Sequence, residues 1–132
     1  MDVKQMTEKL PALHMRIDNL SDKDMEIPQP PEGITRRAHE FLDRLFAFAC
    51  QFPEWRQPMI TADWHGNITF EIWGKNDRKL SIDFTDEEGE RDEIRRIYKD
   101  ENGRLQMPQF STDKEDTETS WLWLIGYKRI TL

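Results

Sequence analysis

Between Asn67 and Phe84 the chain alternates apolar and polar residues twice over. Ile68, Phe70 and Ile72 interleave with Thr69, Glu71 and Trp73, and Leu80, Ile82 and Phe84 interleave with Lys79, Ser81 and Asp83. Successive strand side chains point to opposite faces, so each run has one apolar face. The four residues between them, Gly74-Lys75-Asn76-Asp77, are turn formers that favour a hairpin. A sheet with one apolar face needs a cover, and the preceding segment supplies it. Ala38, Phe41, Leu42, Leu45, Phe46, Ala49 and Phe52 recur at the spacing of one helix face. This predicts a helix with Thr35 as N-cap, reaching about Phe52 and stopped by Pro53. Its other face carries Arg36, Arg37, Glu40, Asp43 and Arg44, with Glu40 and Arg44 one turn apart and able to pair.

Residues 59–64 read as a further strand, joined to the first of these runs by His65-Gly66-Asn67. Two more strands, 94–99 and 104–107, flank Asp100-Glu101-Asn102-Gly103, whose Asn-Gly pair is a strong hairpin signal. The fold class is therefore α+β, one amphipathic helix packed on an antiparallel β-meander of about five strands. Thr112 with Glu115 resembles a capping box before a C-terminal helix, yet Trp121-Leu122-Trp123-Leu124-Ile125 also fits a buried strand. Residues 21–34, rich in Pro and acid, read as a linker between an N-terminal arm, 1–20, and a single domain, 35–132. In the arm, Leu10, Leu13, Ile17 and Leu20 have helical spacing, while Leu13, Met15 and Ile17 also alternate as a strand would. A chain of 132 residues can bury enough surface to fold unaided.

The single cysteine, Cys50, sits in an apolar run and reads as a buried, inert thiol in a reducing compartment. With no basic start followed by an apolar stretch, and no apolar run of about 20 residues, the expected localisation is cytoplasmic and no membrane is expected as a partner. The net charge is -7, which argues against direct nucleic-acid binding and leaves a protein with a basic surface as the expected partner. Asp86, Glu87, Glu88, Glu90, Asp92 and Glu93 form one acidic cluster; Asp113, Glu115, Asp116 and Glu118 form another. Such runs are solvated faces unless something docks on them. Trp73 and Trp64 fall on polar faces, where each is either covered by another element or free to anchor an interface.

Catalytic chemistry has no visible framework. The chain lacks a nucleophile elbow and a phosphate-cradling glycine loop. Its three histidines, His14, His39 and His65, are scattered; Asp63 and His65 suit a hairpin tip, and His39 can pair with Asp43 one turn on. No catalytic residue, cofactor or metal is expected. The enzymatic alternative would rest on the carboxylates Glu71 and Asp83 on adjacent strands. A single-stranded nucleic-acid module would use Trp73, Lys75, Arg78 and Lys79, or Arg95, Arg96 and Lys99. A self-associating structural subunit is a further alternative.

The stretch 35–84, with its helix, Pro58-Met59-Ile60, the strand Gly66-Asn67-Ile68-Thr69-Phe70-Glu71-Ile72-Trp73 and Arg78-Lys79-Leu80-Ser81-Ile82, resembles small bacterial and phage-borne proteins. In these a helix packs on a meander whose second strand reads G-x-I-x-F/L-E-x-W, and many accompany toxin-antitoxin and mobile-element genes. The resemblance covers under half the chain and carries no catalytic residue. With the acidic surface, it implies a small inhibitor of antitoxin, immunity or phage anti-defence type, including the anti-CRISPR type.

Overall fold

The computed structural model of the chain describes residues 3–127. It is an α+β fold with three helices on an antiparallel sheet: α1 (Val3–Asp18), α2 (Glu32–Ala49), β1 (Met59–Ala62), β2 (Ile68–Trp73), β3 (Lys79–Phe84), β4 (Glu93–Lys99), β5 (Leu105–Gln106), β6 (Gln109–Phe110) and α3 (Lys114–Ile125). The sheet runs β1-β2-β3-β4-β5, and β6 also pairs with β4. β5 meets the end of β4 at Tyr98 and Lys99, and β6 meets its start at Ile94 and Arg95. Between them lies Pro108, which has no N–H to donate but accepts from Arg96 N through its carbonyl. The edge strand expected at 104–107 is thus a broken one that continues as β6.

In β2 and β3, Ile68, Phe70, Ile72, Leu80, Ile82 and Phe84 are buried on one face, as the alternation requires. α2 covers them with Ile34, Ala38, Phe41, Leu42, Leu45 and Ala49. The rings of Phe41, Phe70 and Phe84 meet edge to face with centroids 5.1–5.9 Å apart. The opposite sheet face carries Thr69, Glu71, Trp73, Lys79, Ser81, Asp83, Glu93 and Arg95. All of these are partly exposed.

Several local expectations are corrected. α2 starts three residues before Thr35, capped by the extended Pro31, and Thr35 Oγ1 donates back to the Pro31 carbonyl. Proline fixes a φ suited to a helix start, and the helix begins just after Pro31 rather than at Thr35. Glu40 pairs with Arg36 rather than Arg44, which lies over the Phe41 ring. Cys50 is half-buried at the end of α2, not enclosed.

The expected arm is α1, and its Met6, Leu13, Ile17 and Leu20 lie in the same apolar core as α2 and the sheet. The ends of the expected arm and domain, residues 1–2 and 128–132, lie outside the described residues. Residues 121–125 are helical. α3 is capped by Asp113, whose carboxylate accepts from Asp116 N, while Asp116 reaches back to Ser111 N and Oγ. It ends at Gly126 in the left-handed region, φ 69°, where the N–H returns to the Leu122 and Trp123 carbonyls. The helix start uses Asp113 and Asp116 in the roles expected of Thr112 and Glu115.

Gly74 has an ordinary extended φ of -122°; its role is space. A Cβ there would collide with the Leu124 carbonyl oxygen and stand 2.6 Å from Leu124 Cγ. The positive φ values in this turn belong to Asn76 and Asp77.

Candidate interaction site

The β1–β2 turn and the β3–β4 loop leave the sheet at the same end. In the turn, Asp63 accepts from His65 N and Asn67 N, so Asp63 and His65 serve turn geometry. Asn67 Nδ2 then bridges 3.1 Å to Asp63 Oδ2 and 3.1 Å to Glu87 Oε1, tying the turn to the acidic loop. Trp64, at the tip, is 78% exposed.

The acidic loop is clasped from α2. Arg37 Nε donates to Asp92 Oδ2 at 2.8 Å, and Nη2 donates to Asp86 Oδ1 at 2.9 Å and to the Thr85 carbonyl at 3.1 Å. Asp92 also accepts from Thr85 N at 2.9 Å. The hydrogen bond to Asp92, more than that to Asp86, holds the Arg37 guanidinium above its ordinary value, against the opposing effect of burial. Glu93 is bound by Arg95 at 2.6 Å. Of the six predicted carboxylates, Asp86, Asp92 and Glu93 are therefore ion-paired, the first two sharing the single charge of Arg37. Among the described residues no Lys or Arg forms an ion pair with Glu87, Glu88 or Glu90. The negative charge of Glu87 is the main cause that pushes the Glu90 carboxyl above its ordinary value.

Trp73 is not part of this group. It closes the far end of β2, about 20 Å from Asn67 at the usual rise of a strand. It is 48% exposed on the open sheet face, with Lys79 Nζ 5.5 Å from its ring centre. At the acidic-loop end of the open face lies a polar groove of about 520 Å³, lined by Asn67, Thr69, Asp83, Glu90 and Arg95 among others. Glu71 and Asp83 do not face each other: Glu71 sits opposite Ser81 and pairs with Lys79, while Asp83 sits opposite Thr69 and accepts its hydroxyl at 2.7 Å.

The basic residues considered for nucleic acid are split. Arg78 lies over the Trp123 ring and donates to the Trp123 carbonyl. Arg96 stacks on Phe110, 3.7 Å from the ring centre, and donates to Ser120 and Thr119. Burial lowers its proton affinity below the ordinary arginine value. Both arginines pack α3 onto the sheet.

The second acidic cluster is mainly a helix start. The backbone N–H of Asp116 first, and then the Ser111 side chain, hold the Asp113 carboxyl below its ordinary range, and Glu115 and Asp116 occupy the first turn. Arg37 was missed as a site residue because its partners lie 49 and 55 positions away, a distance at which spacing carries no signal. Among the described residues, no three His, Cys, Asp or Glu side chains gather as a metal-ligating group, and no helix is long and apolar enough to cross a membrane. Comparison of the chain with protein-family models, with curated proteins and with solved structures finds no match.

Proposed function

We propose that this chain is a non-enzymatic, cytoplasmic protein-binding domain that docks on a basic protein surface, acting as an inhibitor of a nucleic-acid-processing protein. The antitoxin, immunity and phage anti-defence or anti-CRISPR types of inhibitor share this description. One observation carries the reading: an exposed aromatic, Trp64, is tied through Asn67 to a loop bearing three carboxylates that have no cationic partner among the described residues. Carboxylates clustered on one loop present negative charge to a basic groove, as a phosphate backbone does, and accelerate encounter, while a large aromatic anchor slows release. The single-stranded nucleic-acid alternative is less well supported, since Lys79 and Arg95 on the open face are paired with Glu71 and Glu93. Arg78 and Arg96 are committed to α3.

The test is capture of the partner from the organism encoding the chain, followed by association kinetics at two salt concentrations. Replacing Glu87, Glu88 and Glu90 with Ser should slow association at low salt and lose that effect at high salt, when the Debye length falls to about 3 Å at 1 M. Trp64→Ala should act mainly on dissociation. Asp92 is left in place, because removing it would loosen the loop rather than only discharge it. Equal low-salt association rates for wild type and the triple variant would refute docking through this loop.

A further inference from the structure

α1 and α2 pack along a seam that contains two histidines. His14 Nε2 lies 2.7 Å from Asp43 Oδ1 on α2, and His39 Nε2 lies 2.7 Å from Asp18 Oδ1 on α1. Each ring thus binds the carboxylate of the opposite helix, and the expected pairing of His39 with Asp43 is replaced by this crossed one. The remaining ring nitrogens, the two Nδ1 atoms, are 2.6 Å apart. The ring planes are inclined by 17° with centroids 4.9 Å apart. The centroid separation exceeds the nitrogen separation by about two ring radii, which places both nitrogens on the line between the ring centres. The rings therefore meet nitrogen to nitrogen, edge on, with their lone-pair directions converging.

Counting protons limits what this arrangement can be. A carboxylate only accepts, so each Nε2 must carry hydrogen. Two neutral imidazoles then have no hydrogen left, and two bare lone pairs face each other at 2.6 Å. A third proton turns that contact into a charge-assisted hydrogen bond, the kind that short separations accompany. A fourth would set two N–H groups head to head. The chain Asp18–His39–His14–Asp43 is complete only with three protons on two rings. We propose that the α1–α2 seam is a proton-binding site, in which His14 and His39 share one proton and clamp α1 to α2 when the pair carries a single positive charge. A zinc ion fits the same nitrogens poorly, because ligands bonded to it at about 2.0–2.1 Å stand roughly 3 Å or more from each other.

The charged surroundings are consistent with this. Asp18 and Asp43 are the contacting carboxylates, both largely exposed, and each imidazole is three-quarters buried. Glu40 is engaged by Arg36, Arg16 donates to the Ile60 carbonyl, and Arg44 lies over Phe41. β1, the strand packed on α1, carries no titratable side chain. The sign of the linkage follows from the proton count. On the alkaline side, loss of the shared proton sets the two Nδ1 lone pairs face to face, so the stabilisation fades as pH rises and that proton leaves. On the acid side the unfolded imidazoles hold two protons, and the folded pair loses its central bond on taking the second. The clamp is strongest inside the range of about pH 5 to 8 in which imidazoles exchange protons.

The test uses the full chain. Thermal unfolding of wild type, His14→Gln, His39→Gln and the double variant is measured from about pH 4 to pH 9, spanning the imidazole range on both sides. The wild-type advantage over either single variant should peak inside that range and shrink at least several-fold towards both ends, with the double variant no worse than the singles. Nitrogen-detected NMR of the wild-type histidines supplies an arm that needs no variant to fold: mid-range spectra should show three ring N–H protons on two rings, one of them on Nδ1. An advantage independent of pH, or two rings with no Nδ1-bound proton at any pH in the range, would overturn the proposal.

Discussion

Arg37→Gln is the substitution that most directly probes how α2 shapes the acidic loop. The guanidinium holds Asp92, Asp86 and the Thr85 carbonyl at once, and glutamine keeps part of the stem while losing the charge and the fork. Removing one member of a fully buried ion pair costs about 3–5 kcal/mol, because the other charge is left without a partner. An exposed pair is worth about 0–1 kcal/mol. The Arg37 and Asp92 side chains are 31% and 15% exposed, and Asp86 is 54% exposed. The Asp92 arm therefore lies towards the buried limit, softened by its bond from Thr85 N, and the Asp86 arm lies at the exposed one. A loss of about 2–3 kcal/mol follows.

Equilibrium urea unfolding, followed by tryptophan fluorescence, measures it. The double variant Arg37→Gln, Asp92→Asn removes the stranded charge and should recover about 1 kcal/mol or more relative to additivity. High salt should weaken only the Asp86 contribution, since partly buried pairs are screened less. A loss below about 0.5 kcal/mol, within the range of ordinary surface substitutions, with strictly additive effects, would mean the clasp does not hold the loop.

Deleting residues 1–20 should abolish the cooperative urea transition, since Met6, Leu13, Ile17 and Leu20 belong to the common core; a cooperatively folded 21–132 fragment would show that α1 is an appendage. Asp113→Asn keeps an N-cap acceptor but removes the charge that the Asp116 N–H stabilises. A carboxylate held below its ordinary range stabilises the fold at neutral pH, and that contribution disappears as pH falls through the acid range. The wild-type melting temperature should accordingly fall more steeply than the variant's below about pH 4; parallel curves would contradict the role of the cap charge.

Features that depend on neighbours in sequence were legible from it. Alternation in 68–73 and 79–84 identifies the inward residues, and the 3.6-residue stripe of α2 identifies the face that meets them, because side-chain direction follows backbone periodicity alone. The Asn-Gly pair likewise marks the β4–β5 turn, where Gly103 takes a φ of 75°.

The run 121–125 was not decidable, because five consecutive apolar residues satisfy either period. What settles it is the cap at Asp113, the left-handed Gly126 and a place beside Trp55 where Trp121 is fully buried. Charge roles were also beyond reach. Asp92 and Glu88 are equally acidic in the sequence, yet one faces Arg37 from α2 and the other has no ion-pair partner among the described residues. The crossed pairs of His14 with Asp43 and His39 with Asp18 arise because two helices joined by a Pro-rich connection lie side by side. Local pattern determines which way a side chain points; only the packing of distant elements determines what it meets, and therefore which charges find a counter-charge within the fold.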